Sequence, residues 1–233
     1  MQTKKNNSEY EHFNKLSDEW WDDNGKFRIL HQIRPIRIQY ILDQVNNQNI
    51  KNLDILDIGC GGGLVSESLS RLGANVTGID FVQTNIRAAK LHSSKAKLDI
   101  NYIYGDIEKI KINKKFDLII MFEVLEHLDD WRSLLLKISK NLNKKGVIII
   151  STINRNIISK FTAIKIAENI LKWIPKGTHN FEKFIKPDEI NETLMSKKIL
   201  LKDLSGLTFN PLELSWNLSK NTSINYFCTY FKN

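Results

Sequence analysis

The stretch 53–63, Leu-Asp-Ile-Leu-Asp-Ile-Gly-Cys-Gly-Gly-Gly, constrains this chain more than any other. Residues 53–58 suit a buried strand, and Leu64, Val65, Leu69 and Leu72 beyond the glycines have helical spacing. A strand that turns into a helix through glycines brings backbone N–H groups close to a ligand, because no Cβ intervenes. A dinucleotide site needs G-x-G-x-x-G or A. Counted from Gly59 the third position is Leu64, and counted from Gly61 it is Ser66. No Gly-Lys-Ser/Thr follows either, so the phosphate loop of nucleotide hydrolases is excluded as well. The loop is built for a ligand without a pyrophosphate.

The strand–helix step recurs. Residues 75–80, 100–104, 116–122 and 146–151 read as strands, and 64–72, 86–91 and 134–142 as helices. This βαβαβ rhythm predicts an α/β fold with a mainly parallel sheet covered by helices on both faces. Before it, 9–20 and 33–45 read as helices, with Pro35 near the start of the second. After it, 156–173 has helical spacing and Pro175 with Gly177 ends it. Residues 187–195 suggest a short helix, and 199–207 and 223–231 two last strands. No repeat or low-complexity linker interrupts the 233 residues, and 42% of them are hydrophobic. One domain over 1–233 is expected, with 1–50 as an N-terminal helical cap and 154–180 as an insertion.

Composition removes several functional classes. No run approaches the roughly 18 apolar residues of a spanning helix. The first residues lack the apolar core of a secretory signal, so a cytoplasmic protein is expected. Cys60 and Cys228 make neither a disulfide framework nor a zinc pattern. The net charge is +8, but 27 Lys stand against 7 Arg and are spread along the chain. Nucleic-acid readers favour Arg for its bidentate contacts, so no nucleic-acid partner is expected.

Three acids complete the loop. Asp57 lies two residues before Gly59, Asp80 closes the second strand and Asp106 follows the third. S-adenosylmethionine suits this layout, because it carries a ribose diol, an ammonium and a carboxylate but no phosphate. Asp80 can accept the ribose hydroxyls, Asp57 can face the ammonium, and Asp106 can accept the adenine amino group. Gly59 and Gly61 supply the close backbone.

At these residues the chain resembles the class I methyltransferases that use S-adenosylmethionine. The segments EWWDDNGKFRILHQIRPIRIQYI, FEVLEHLDD, STINRN, PKGTHNFEKFIKP and GLTFNP extend the likeness to the ubiquinone-biosynthesis O-methyltransferase family. The resemblance implies a Rossmann-like, seven-stranded, mostly parallel sheet with extra N-terminal helices. It also implies methyl transfer to phenolic hydroxyls of 2-polyprenyl-6-hydroxyphenol and 3-demethylubiquinol. Its cofactor contacts fall on Arg37, Gly59, Asp80 and Phe122, with Arg37 suited to the methionyl carboxylate.

A phenol of pKa about 10 is ionised about once in a thousand at neutral pH, a deficit of roughly 4 kcal/mol. Glu123, Glu126 and His127 follow strand four, where open α/β sheets bind ligands. If that segment is helical the three share one face and could hold a divalent ion such as Mg2+ against the substrate oxygens. The other reading has His127 as a general base without metal, or the acids fixing loop geometry. The apolar arc of 156–174 is either core or a peripheral contact with the cytoplasmic face of a membrane, where a polyprenyl substrate resides. The resemblance favours the membrane and a place in a ubiquinone biosynthetic complex. The rival functions are a methyltransferase for another small molecule or nucleic acid, and a noncatalytic cofactor-binding scaffold.

Overall fold

The computed structural model describes residues 19–45, 48–156, 159, 181–210, 213 and 215–233. Helix α1 (Arg28–Gln44) leads into the strand–helix series β1 (Asp54–Ile58), α2 (Leu64–Arg71), β2 (Asn75–Asp80), α3 (Gln83–Lys95), β3 (Asn101–Tyr104) and β4 (Phe116–Phe122). A 3-10 turn (Leu125–His127), α4 (Trp131–Ile138) and β5 (Leu142–Ile153) follow, then α5 (Pro187–Met195), β6 (Ile199–Asn210), β7 (Ser215–Ser219) and β8 (Asn225–Lys232).

Among the described residues, eight strands lie in the order β3-β2-β1-β4-β5-β8-β6-β7. The first five are parallel. β8 returns antiparallel beside β5, and β6 and β7 continue antiparallel outward. The expected seven strands are therefore joined by an eighth, β7, of sequence Ser-Trp-Asn-Leu-Ser. It carries only two apolar residues, and it exists because β6 offers it an edge to pair with.

Alternation along each strand builds two cores. On one face Leu56, Ile58, Ile119, Met121, Ile148 and Ile150 pack with Leu134 and Leu135 of α4 and Ile190 of α5. On the other, Ile55, Leu118, Ile120 and Ile149 pack with Tyr40 and Ile41 of α1 and Leu69 of α2. Strands covered on both faces are mostly apolar, and β4, Phe-Asp-Leu-Ile-Ile-Met-Phe, breaks the run only at the half-buried Asp117, which accepts from Asp54 N–H at 2.9 Å. Pro35 lies in the interior of α1 and not near its start, because Phe27 and Leu30 already pack ahead of it. The missing N–H removes one helix bond, to the His31 carbonyl. Of the helix expected over 9–20, residues 9–18 lie outside the described residues, as does all of the expected helix over 156–173 except Asn156 and Ser159.

Candidate active site

The strand order reverses at β1, between β2 and β4, and a cleft opens beyond the carboxyl ends of these strands. It encloses about 260 Å³. Gly59 and Cys60 both donate backbone N–H to the Ile79 carbonyl, at 2.8 and 3.1 Å, which ties the glycine loop to the end of β2. Gly59 and Gly61 have φ of 73° and 54°, in the left-handed region that L side chains avoid.

Asp57 shares the face of β1 that carries Ile55, so its carboxyl points toward α1 and α2. It is buried and accepts a 2.5 Å hydrogen bond from the Ser66 hydroxyl. Burial pushes its pKa up to about 6, against the pull of Ser66 and Arg37 and with help from Asp80. Asp80, also buried, accepts from Gly61 N–H on Oδ2 at 2.9 Å. On Oδ1 it accepts from Val82 N–H at 2.8 Å and the Asn85 amide at 3.3 Å. Burial raises its pKa too, and these three donors oppose the rise. A carboxylate offers about four acceptor positions. Three are taken, and Oδ2 keeps one for a hydroxyl in the cleft.

Arg37 reaches the cleft from α1. It is buried, pairs with Glu123 Oε2 and lies over the Phe122 ring at 5.0 Å. Its Nε is buried without a hydrogen-bond partner among the described residues. Phe122 therefore contributes its side chain, as a platform for the guanidinium.

Glu123, Glu126 and His127 all line the cleft. They do not lie on one helical face. Glu123 has φ of 53°, and the 3-10 turn begins only at Leu125. Its Oε1 accepts from the Ser151 hydroxyl at 2.6 Å, whereas Glu126 Oε2 accepts from the Thr152 hydroxyl at 2.8 Å. Ser151 and Thr152 are consecutive on β5 and point to opposite faces, so the two carboxylates are drawn apart. Among the described residues no three His, Cys, Asp or Glu side chains cluster in a way that could hold a metal ion. As arranged, these residues do not fit a metal. Burial raises the pKa of Glu126, the neighbouring His127 opposes that rise, and Glu123 adds to it.

Asp106 is not among the residues that line the cleft. Its carboxylate accepts from Glu108 N–H at 3.0 Å and pairs with Lys109 at 2.8 Å, closing the turn after β3. Sequence reasoning overlooked Ser66, Asn85, Ser151 and Thr152, whose residue types carry no signal until the strand ends meet. It also left open the role of Trp20, which lines the cleft.

Residues 56–150 match the methyltransferase domain family. The chain is 44% identical to the ubiquinone biosynthesis O-methyltransferase of Pelagibacter ubique over 98% of both chains. The chain belongs to the ubiquinone biosynthesis O-methyltransferase family. The member from Rickettsia canadensis is 42% identical over 94% of both chains. The fold of this family member is similar to that of magnesium protoporphyrin IX methyltransferase from Synechocystis PCC 6803, solved with bound SAH. That likeness has a TM-score of 0.70 at 16% identity and covers 98% of this chain and 100% of that one. The methyltransferase likeness therefore spans the family at the level of sequence and the wider class at the level of fold.

Proposed function

We propose that this chain transfers a methyl group from S-adenosylmethionine to phenolic hydroxyls of polyprenylated ubiquinone precursors, 2-polyprenyl-6-hydroxyphenol and 3-demethylubiquinol. The observation that carries this reading is one cleft lined by Arg37, the buried acids Asp57 and Asp80, and Glu126 with His127. The relatives named for this reaction, similar over nearly the full chain, support it.

The groups at the first end fit the methyl donor. The unpartnered Nε of Arg37 suits a carboxylate, Asp57 suits an ammonium, and the remaining acceptor position of Asp80 Oδ2 suits a ribose hydroxyl. Gly59 and Gly61 take the left-handed backbone that turns the loop along the cleft. When bound, S-adenosylmethionine supplies an electrophilic methyl on a sulfonium, released as a neutral thioether once the O–CH3 bond forms. His127 takes the phenolic proton. Glu126, held by Thr152, stabilises the imidazolium that results, which lowers the cost of making the phenolate. Glu123, held by Arg37 and Ser151, fixes the wall between the two ends.

The whole chain acts as one catalytic unit in this reading, with residues 1–50 as its cap. No helix among the described residues is long and apolar enough to cross a membrane. The insertion 156–174, outside the described residues except for Asn156 and Ser159, docks on an anionic bilayer surface so that the isoprenoid tail stays in lipid. Incubation with S-adenosylmethionine and a short-chain polyprenyl phenol, read by mass spectrometry, tests the function. A singly methylated product whose rate falls at least a hundredfold in His127→Ala is expected, and cofactor binding without any product would refute it.

A further inference from the structure

Two tryptophans of the segment before α1 lie against the glycine loop. The Trp20 ring stacks on Phe27 at 3.9 Å and 8°, and covers Gly61 and Gly62 so closely that a Cβ on either would overlap it. Trp21 donates its indole N–H to the Gly62 carbonyl at 3.0 Å and stacks on His92 at 3.4 Å and 2°. His31 Nε2 bonds the Trp20 carbonyl at 2.8 Å. Gly61 and Gly62 thus make room for an indole.

The Trp20 indole has a polar end, and it is used. Its N–H donates to Asn85 Oδ1 at 2.8 Å, a buried bond between residues 65 positions apart. That bond decides which way the Asn85 amide faces, because the carbonyl oxygen must meet the indole and the NH2 is left to point at Asp80 Oδ1, 3.3 Å away. With Val82 N–H this donor fills Oδ1, and Gly61 N–H holds one position of Oδ2. Three donors hold the carboxylate where Asp80 lines the cleft, and one of its acceptor positions is not used by them.

We propose that Trp20 and Asn85 are positioning residues for the methyl donor, a relay in which the indole N–H orients the amide and the amide locks Asp80 toward the ribose. The proposal rests on the cofactor reading of the cleft given above. A buried indole N–H needs an acceptor, and here that acceptor is a side chain that also donates to Asp80. The relay also explains how the segment before α1 controls a carboxylate that belongs to β2.

The test is calorimetry with S-adenosylmethionine and steady-state kinetics on Trp20→Phe, Asn85→Asp, their double variant and Asp80→Ala, with melting midpoints as a check on folding. Trp20→Phe keeps an aromatic ring and loses the N–H. It should weaken binding about three- to tenfold and raise KM for the donor equally, with kcat within about twofold of wild type. Asn85→Asp keeps the acceptor for the indole but turns an acceptor toward Asp80. The relay predicts at least a tenfold loss of affinity, seen as a rise in KM for the donor with kcat little changed. The double variant should bind no more weakly than Asn85→Asp alone, because the indole acts through the amide. If Trp20→Phe does not fold, Asn85→Asp carries the test, since it leaves the indole packing in place. Wild-type affinity in both single variants, or a fall in kcat with KM unchanged, overturns the relay while Asp80→Ala still loses binding. Wild-type affinity in Asp80→Ala overturns the cofactor reading itself.

Discussion

Lowering the pH from 7 to 5 should weaken binding of S-adenosylmethionine about tenfold, and Asp57 should be the cause. Burial holds this carboxyl near pKa 6, well above the ordinary 3.8. Only its ionised form can pair with the donor's ammonium, which stays protonated throughout this range. The ionised fraction is about 0.9 at pH 7 and about 0.1 at pH 5, which sets the ratio. Binding near pH 6 should release about half a proton, visible as a dependence of calorimetric heat on the ionisation enthalpy of the buffer. Asp57→Asn should bind more weakly at pH 7 and lose most of the slope. Stability of the ligand-free protein runs the other way. A carboxyl whose pKa rises on folding favours the fold when protonated, so its contribution is complete below about pH 4 and lost as pH rises through about 6. The size is about 3 kcal/mol, and Asp57→Asn should accordingly stabilise the ligand-free protein at pH 7. An affinity that is flat between pH 5 and 7 in the wild type, or equally steep in Asp57→Asn, would refute the assignment of Asp57 to the ammonium.

Arg37→Lys keeps a positive charge but loses the planar fork that faces Glu123 and the free Nε, so KM for the donor should rise about tenfold in initial-rate assays. Gly62→Ala places a methyl in the Trp20 ring, and both the melting temperature and donor affinity should fall. Ile120→Ala, fully buried in the middle of β4, should cost about 2–5 kcal/mol in urea unfolding, with little change in KM per folded molecule. In flotation on anionic vesicles the wild type should rise with the lipid, and the double change Ile158→Ser with Phe161→Ser should leave the protein in the soluble fraction.

The alternating strand and helix periods of 53–151 were legible because each is a local pattern: a strand covered on both faces is mostly apolar, and a surface helix must show a stripe. Asp57, Gly59, Gly61 and Asp80 were legible for the same reason, since each sits at a strand end that the pattern locates. Features that depend on a partner far along the chain were not. β7 is a strand because β6 presents an edge, and Pro35 is tolerated inside α1 because Phe27 and Leu30 anchor the turn before it. The expected single face for Glu123, Glu126 and His127 assumed a helix, while the actual arrangement follows from Ser151 and Thr152 on β5, which point to opposite sides of the sheet. Asp106 has the right place in the pattern and yet turns to Glu108 and Lys109, a choice made by loop geometry. Local periods along the chain locate the acids and glycines at strand ends. Which of those groups share the cleft follows from packing and from hydrogen bonds such as Trp20 to Asn85, which join residues that no local period relates.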